Sequence, residues 1–349
     1  MQSPLCLAVL NPGGRDREQR FPDGAGRPDD SVVPHPPVNY HAYAACTGGS
    51  FHGSTTAVLA TGRPVLLLLR RDLRAGWRTL EQLKAAGRTV AVTFKEAGAM
   101  QVAARLTHPK EVELLARIAA AADGCLAPCP WLMTFFQALG GGKPVWHIPT
   151  PYPVEDPRWD FSVPVEERRG IFVGTREWDV PSRQHLAAVL LAKQIALETG
   201  ERATVINPDG RRGTKMLAAL GFSADPRAAL RVVPGPLPYT GYLREMAGHK
   251  IVFQLDASDV PGQVAGDALL CRVPCVGGDG AVERLAFAPL AGGRHTPDEL
   301  AGFARALLTD ADAYRQASQG AMVSAAERLS FRVVAGRLQE FYRHLGAAV

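Results

Sequence analysis

Apolar and polar residues follow a regular pattern along most of the chain. Short apolar runs that end in Gly, Pro, Asp or Asn are separated by Ala- and Leu-rich stretches in which apolar residues recur with helical spacing. The first half is predicted to contain strands at residues 5–11, 64–69, 89–94, 124–128 and 144–149, and helices near 75–86, 97–107, 109–122 and 131–139. Apolar strands that alternate with helices indicate parallel sheets built from β-α-β units.

The second half repeats this pattern after an irregular, proline-rich stretch at 150–168. It is predicted to contain strands at residues 170–174, 202–207, 230–235, 250–256 and 274–278, and helices near 182–199, 213–220 and 239–248. The remaining tail is helical in character. Thr296, which precedes Pro297, is predicted to be the N-cap of one of its helices.

Residues 15–40 interrupt the pattern of the first half. They are rich in proline, glycine and charge and show no periodicity, which predicts a long loop inserted after the first strand. Two interpretations stay open at this stage. The loop either covers a site or is an ordinary solvated surface loop.

The length of 349 residues exceeds what one hydrophobic core usually holds. We predict an α/β fold with two doubly wound Rossmann-like domains that face a cleft, because such domains bind ligands beyond the carboxyl ends of their strands. The expected boundaries are an N-terminal domain at 1–150, a linker at 151–169, a C-terminal domain at 170–325 and a closing helix at 326–349. We expect this last helix to pack back on the first domain.

Composition and charge narrow the class of protein. With 46% hydrophobic and 21% charged residues, the chain is typical of a soluble globular protein. A net charge of +5 is mild for this length, and no known nucleic-acid-binding spacing is present, so we expect no nucleic-acid partner. The first residues lack the features of a signal peptide, and the apolar run 64–69 is too short to cross a bilayer. We therefore expect a cytoplasmic protein.

Cysteines offer a metal-site hypothesis that the local pattern does not favour. Cys125 and Cys129 form one Cys-x3-Cys pair, and Cys271 and Cys275 form another. Each pair spans a strand or helix end, and six cysteines in a chain of this size do not make a disulfide scaffold. We predict buried thiols that act as small apolar residues, and no metal site.

One segment carries a specific resemblance. In "DVPGQVAGDALLCRVPCVGGDG" (259–280), two acidic residues are eight positions apart, with a glycine between them, and a helix and a Val-Pro-Cys-Val-Gly-Gly strand follow. This order resembles the C-terminal signature of retaining GT-B glycosyltransferases of the family-4-like group, glycosyl transferases group 1. Their Glu-x7-Glu motif precedes a segment such as "EAMACGTPVV". Asp259 and Asp267 stand where that family has its two glutamates, and Gly262 is the motif glycine, so the motif is degenerate here.

The resemblance extends over most of residues 170–345. "IFVGTREWDVPSR" (171–183) is similar to the strand and Gly-Arg turn that open the second domain of the family, and the tail is similar to its closing helices. In the first half the resemblance rests on layout alone. The family implies a nucleotide-sugar donor as substrate, transfer to an acceptor and no cofactor.

The resemblance implies roles for several residues around the motif. Asp267 would bind the nucleotide ribose, and its other interpretation is an exposed acidic residue on a helix. Asp259 would lie near the donor sugar as a catalytic residue; it is equally interpreted as a helix N-cap, and Asp256 at the strand end competes for the same role. Gly262 and Gln263 would let the backbone approach a phosphate.

The donor diphosphate needs cations. Arg176 corresponds to the arginine of the family that binds this group, a role suited to a permanently charged guanidinium. The lysine that usually follows has no counterpart. Arg183 or Lys215 would replace it.

In the first domain the family carries a Gly-Gly loop and a histidine. Two Gly pairs are candidates for the loop, Gly13 with Gly14 and Gly48 with Gly49, and both are expected to face the cleft if 15–40 loops out. Lys95 and Glu96 occupy the place of the histidine. Glu96 would serve as a carboxylate near the reacting carbon or the acceptor, or would belong only to a charged helix start.

A basic cluster adds a possible partner surface. Its arginines lie next to Trp77, and they are Arg70, Arg71, Arg74 and Arg78. They would hold an anionic acceptor or contact an anionic membrane peripherally, and a solvated helix face is the other interpretation.

These observations predict a glycosyltransferase that moves a sugar from a nucleotide-sugar to an unidentified acceptor. We expect retention of configuration and no metal, because cationic side chains and a helix N-terminus can stabilise the departing phosphate. Two alternatives remain: a sugar-nucleotide epimerase of similar architecture, and a nucleotide-sugar-binding or scaffold protein without activity.

Overall fold

The structure is a computed structural model, and it describes residues 4–16, 18–28, 35–175 and 177–348. The chain divides into two compact units. The first contains Met1–Glu155, Asp259–Pro261 and Leu329–Val349, and the second contains Asp156–Ser258 and Gly262–Arg328. Each unit is built around one sheet.

The first unit contains a seven-stranded sheet with the order β2-β3-β1-β4-β5-β6-β7. Its strands are β1 (Ala8–Leu10), β2 (Gln19–Arg20), β3 (Ser50–His52), β4 (Val65–Leu69), β5 (Val90–Phe94), β6 (Gly124–Ala127) and β7 (Val145–His147). Only β2, at the edge, runs antiparallel to its neighbour. The sheet is therefore parallel almost throughout, as the pattern of apolar runs predicts.

The predicted strands of the first half are confirmed, with shorter bounds. Strands β4 and β5 are buried along their whole length and pair in register from Val65 with Val90 to Leu69 with Phe94. Strands β2 and β3 were not predicted, and β2 lies inside the segment 15–40 that was interpreted as a loop. Both are too short to show an apolar period of their own.

Helices cover the sheet of the first unit. They are α1 (Asn39–Cys46), α2 (Thr55–Leu59), α3 (Leu73–Ala85), α4 (Ala99–Ala103), α5 (Pro109–Ala121) and α6 (Pro130–Ala138). The last four match predicted helices, although α4 is much shorter than predicted. Helix α1 was missed because it is buried on most of its surface from Tyr40 to Ala45, so its sequence has no polar stripe.

The second unit contains a five-stranded parallel sheet with the order β10-β9-β8-β11-β12. Its strands are β8 (Ile171–Val173), β9 (Ala203–Asn207), β10 (Leu230–Pro234), β11 (Ile251–Phe253) and β12 (Cys275–Val276). Each lies within a predicted strand. The second half is thus an open α/β sheet, as predicted.

Helices of the second unit follow the same alternation. They are α7 (His185–Thr199), α8 (Gly210–Ala219), α9 (Tyr239–Ala247), α10 (Gln263–Leu270), α11 (Ala281–Ala286), α12 (Pro297–Thr309) and α13 (Ala311–Arg328). The predicted N-cap of α12 is confirmed. The Thr296 hydroxyl accepts from the Glu299 N–H at 3.3 Å, and the Glu299 carboxylate accepts from the Thr296 N–H at 2.7 Å.

The final helix, α14 (Phe331–His344), packs with the first unit. Ser330 caps its start by accepting from the N–H of Val333. Its buried residues Leu338, Phe341 and Tyr342 belong to the same hydrophobic cluster as Leu66 of β4. The chain therefore returns to its first sheet at its end.

Buried cysteines contribute to both cores. Cys125, Cys129, Cys271 and Cys275 are buried free thiols, as predicted, and Cys6 and Cys46 are partly buried. Among the described helices, none combines the length and the apolar character that a bilayer crossing needs.

Candidate functional site

The strand order of the second unit has one topological switch point. The chain moves outward on one side from β8 to β9 and β10, and then returns to the other side of β8 with β11. Open α/β sheets bind ligands in the crevice outside the carboxyl ends of the two strands where the order reverses. In this unit those strands are β8 and β11, which are followed by the segments that carry most of the predicted donor-site residues.

The segments that follow β8 and β11 are tied together at this edge. The Ala257 N–H donates to the Ser182 carbonyl at 2.8 Å, and the Ser258 hydroxyl donates to the Ser182 hydroxyl at 2.7 Å. Arg183 forms an ion pair with Asp256, whose side chain is 5% exposed. The strand-end carboxylate is thus Asp256, and it orients a predicted phosphate-binding arginine.

Arg183 keeps part of its guanidinium accessible. It ends a short helical turn, Pro181–Arg183, just before α7, and its side chain is 25% exposed. The ion pair with Asp256 already neutralises part of the guanidinium charge. An anionic ligand would therefore share this arginine with Asp256.

Helix α10 presents its N-terminus at the same edge. Its N-cap is Gly262, with a φ of +91°, a residue that has no side chain of its own to cap the first turn. The N–H groups at a helix start form a favourable place for an anion. Because Gly262 is the N-cap, the interpretation of Asp259 as the N-cap of this helix is wrong.

Asp267 lies inside α10 and is 1% exposed. Its Oδ1 accepts a hydrogen bond from the Tyr239 hydroxyl at 2.5 Å. The interpretation of Asp267 as an exposed helix residue is therefore wrong. Tyr239 was not predicted as a site residue; the signal for it is the turn-forming sequence "PGPLPY" after a strand.

Glu283 is a second buried acidic residue, and the sequence predicts no role for it. It lies in α11 and is 2% exposed. The amide of Gln254, one residue beyond β11, donates to its Oε1 at 2.8 Å. Its only sequence signal is a position shortly after the Gly-Gly pair at 277–278.

The first unit has an equivalent switch point between β1 and β4. Asn11 follows β1 and is 1% exposed. Its amide donates to Asp16 at 2.9 Å and its oxygen accepts from Arg70, which follows β4, at 3.4 Å. Gly13 and Gly14 lie in the same turn, with Gly13 at a φ of +67°.

Lys95 and Glu96, which follow β5, have different surroundings. The Lys95 ammonium lies 3.7 Å from the Asp16 carboxylate and 5.6 Å from the centre of the Tyr40 ring. Glu96 forms an ion pair with Arg105 beyond α4, and its side chain is 42% exposed. Lys95 thus joins the polar cluster of Asn11 and Asp16, and Glu96 is paired near a helix start.

Comparison with known proteins identifies the fold. No protein-family model matches the sequence, and no curated protein matches it. The chain is similar to sucrose-phosphate synthase from Thermosynechococcus elongatus, at 14% identity and a TM-score of 0.62, over 98% of this chain and 99% of that one. It is similar to HepE of Anabaena, solved in complex with UDP and glucose, at 14% identity and a TM-score of 0.62, over 97% and 99% of the two chains. It is also similar to a UDP-forming α,α-trehalose-phosphate synthase from Burkholderia xenovorans, at 13% identity and a TM-score of 0.61, over 89% of this chain and 80% of that one.

The chain has a GT-B glycosyltransferase fold. At these identities the similarity establishes the architecture of the chain.

Within this GT-B fold, the two predicted Gly pairs lie at opposite edges of the first sheet. Gly13 and Gly14 follow β1, whereas Gly48 and Gly49 precede β3, and β1 and β3 are parallel. Gly48 and Gly49 are therefore at the amino-terminal edge, away from the switch point. Gly49 also packs so closely on the Leu7 backbone that a side chain there would overlap it. The expectation that both pairs line one site is wrong.

The four arginines of the basic cluster do not lie together in the GT-B fold. Arg70 reaches the switch point through Asn11, while Arg71, Arg74 and Arg78 are exposed at and along α3. The guanidinium of Arg117 stacks 4.7 Å above the Trp77 ring on this side. Arg70 thus belongs to a different surface from the other three arginines.

Three further predicted residues complete the description. Asp259 is partly buried at a φ of +51°, and Gln263 is partly buried in the first turn of α10. Arg176 lies outside the described residues. Among residues 4–16, 18–28, 35–175 and 177–348, no group of three or more His, Cys, Asp or Glu side chains is arranged to hold a metal ion.

Proposed function

We propose that this protein is a glycosyltransferase that transfers a sugar from a nucleotide-sugar to an acceptor. One observation carries the proposal. In a GT-B fold, the second unit presents a helix N-terminus, at Gly262, together with a partly accessible arginine, Arg183, at its switch point. This combination suits a diphosphate, because backbone N–H groups and a guanidinium both favour negative charge.

The donor would occupy the carboxyl edge of the second sheet. Arg183 and Arg176 would bind the diphosphate, the turn at Gly262 and Gln263 would contact it through the backbone, and Asp267 would accept hydrogen bonds from the ribose. Asp267 already holds a hydrogen bond from Tyr239. We infer that Tyr239 orients this carboxylate for its contact with the ribose.

The acceptor would bind at the carboxyl edge of the first sheet, in the turn formed by Gly13 and Gly14. Glu96 and Asp259 remain our proposed catalytic carboxylates. We further propose retention of configuration without a metal, because Arg183, Arg176 and the helix start can stabilise the charge on the departing phosphate. The neighbouring HepE structure contains UDP and glucose, which supports a nucleotide-sugar as donor.

A second candidate function is nucleotide-sugar binding without turnover. The ion pair between Arg183 and Asp256 favours it, because the guanidinium that should stabilise the leaving phosphate is already partly neutralised. This candidate differs from the first in chemistry and not in ligand. Turnover therefore separates the two.

Thermal-shift measurements with UDP, GDP, ADP and their glucose conjugates test donor binding. We expect at least one nucleotide to raise the melting temperature, because a ligand that binds only the folded state stabilises it by about 2.7 kcal/mol at 100 times its Kd. Asp267→Ala should weaken this ligand, since it removes the proposed ribose contact. Asp298→Ala, at an exposed position in the first turn of α12, is the matched control.

Release of nucleotide from the nucleotide-sugar that binds then tests catalysis. We expect slow hydrolysis that EDTA does not reduce, with the first released sugar in the donor's anomeric configuration when followed by proton NMR. Binding without release, for the wild type and Asp267→Ala alike, would favour the non-catalytic protein. The absence of any nucleotide-induced shift would contradict both candidates.

A further inference from the structure

Glu283 places an acidic group inside the second unit, directly beside the start of α10. The residue is 2% exposed, and its Oε1 accepts from the Gln254 amide at 2.8 Å. Its Oε2 has no hydrogen-bond partner among the described residues. A fully buried carboxyl oxygen without a donor is costly as an anion and far less costly as a neutral acid.

Two glycines bring the backbone into contact with this carboxyl group. A side chain at Gly262 would overlap Oε2, and a side chain at Gly278 would overlap Oε1 and the amide of Gln254. Gly262 is also the N-cap of α10. The carboxyl group therefore lies immediately behind the helix start that the proposed diphosphate would approach from the solvent side.

Three titratable groups surround Glu283. Asp256, beyond β11, disfavours its charge; Arg183, before α7, favours it; and the Cys275 thiol of β12 adjoins it. Burial is the largest effect and raises the pKa of Glu283 to about 8, because the charged form is not solvated there. The geometry and the charges agree that this residue is neutral at pH 7.

We propose that Glu283 is a positioning residue for the donor diphosphate: as a neutral acid it supports the Gly262 start of α10 without opposing an anion, and its ionisation weakens anion binding there. The inference rests on the proposed donor site. A negative charge behind the helix start would cancel part of the positive field of the helix and would repel the phosphates through a poorly solvated interior. Anion binding and ionisation of Glu283 therefore oppose each other.

Titration calorimetry of UDP, with GDP and ADP as further probes, tests this opposition between pH 6.5 and pH 9. At pH 9 we expect the wild type to bind the nucleotide about tenfold more weakly than Glu283→Gln does. The reason is that about nine in ten Glu283 side chains are ionised one pH unit above the folded-state pKa. The Gln variant keeps the shape and the neutral state. Ionisation of the nucleotide itself is common to both proteins and cancels in their ratio. Glu340→Gln, an exposed glutamate on α14, is the matched control and should behave as the wild type does.

The outcomes separate this inference from the proposed function. If the wild type and Glu283→Gln bind nucleotide with the same pH profile, Glu283 has no such role, although the donor site stands. If no nucleotide binds either protein at pH 6.5, the donor site fails and the inference fails with it.

A second measurement does not depend on the folding of the variant. Calorimetry of the wild type at pH 8 in two buffers of different ionisation enthalpy reports the protons exchanged on binding. We expect proton uptake at pH 8, because a bound anion raises the pKa of Glu283 and draws a proton onto it. Proton release, or no exchange, at pH 8 would overturn the inference.

Discussion

Three glycines around Gln254 and Glu283 show why these positions have no side chain. Gly262, Gly277 and Gly278 have φ values of +91°, +80° and +76°, a region that disfavours L-residues. A side chain at Gly277 would overlap the Gln254 carbonyl, as side chains at the other two would overlap Glu283. The Gly-Gly pair is therefore required by packing as well as by backbone conformation.

Replacement of Gly262 by alanine tests this packing. We expect Gly262→Ala to lower the free energy of unfolding by about 1–3 kcal/mol, through positive φ and overlap with Glu283, and to weaken nucleotide binding. Gly302→Ala, in the interior of α12 with open space around it, should instead stabilise by about 0.5–1 kcal/mol. Urea denaturation of both variants measures the difference. Equal effects at the two sites would contradict the proposed contact.

At the scale of elements, α14 completes the core of the first sheet. Its Tyr342 hydroxyl donates to the Val65 carbonyl at 2.9 Å, across 277 residues of chain. The ring of Phe341 lies 5.6 Å from that of Trp146, a residue of β7. The closing helix is thus part of the first unit and not an appendage of the second.

Truncation of a buried leucine on α14 should destabilise the first unit. We expect Leu338→Ala to cost about 2–5 kcal/mol, the range for removing a fully buried leucine side chain. Met100→Ala, where the methionine is 58% exposed in the same unit, should change stability by less than about 0.5 kcal/mol. Calorimetric melting of each variant gives the comparison. A small effect of Leu338→Ala would mean that α14 detaches easily.

For the whole molecule, histidines whose pKa is lowered in the folded state couple stability to pH. Burial lowers the pKa of His41 to about 2, and it lowers those of His147 and His185 to about 4. His41 is stacked between His35 and Phe51, with ring centres 3.6 and 3.7 Å away. Below pH 6.5 the unfolded chain binds protons that these folded histidines do not, so stability is present above that pH and is lost as pH falls. The raised pKa of Glu283 acts in the opposite sense, with stability lost as pH rises from 4.5 to about 8.

Replacement of His41 by phenylalanine isolates one of these contributions. Phe keeps the stack and does not titrate, so we expect His41→Phe to lose less stability than the wild type between pH 6.5 and pH 5, by about 2 kcal/mol at most. His344→Phe, an exposed histidine on α14, is the control and should leave the pH slope unchanged. Melting temperatures across this pH range provide the test. Parallel curves for the wild type and His41→Phe would contradict a neutral buried His41.

Local sequence patterns predicted most of the strands, but they did not predict every strand of the first sheet. Every predicted strand contains an observed strand, because runs of buried apolar residues and their turn residues are local features. Strand β3 was missed, and so the edge on which Gly48 and Gly49 lie was assigned incorrectly. When a strand is too short to show an apolar period, the sequence does not tell on which edge of the sheet its flanking loops lie.

The sequence by itself determined an α/β chain with two parallel sheets and an acidic, glycine-containing turn before a helix in the second half. Only the tertiary structure decided what those acids do. Asp267 accepts a hydrogen bond from Tyr239, which is 28 residues away in the sequence, and Asp256 pairs with Arg183, which is 73 residues away. Glu283 is a buried acid only because the Gly262 turn packs against it and Gln254 donates a hydrogen bond to it. Periodicity is encoded over a few neighbouring residues, whereas burial and pairing depend on strands and helices brought together by the whole fold.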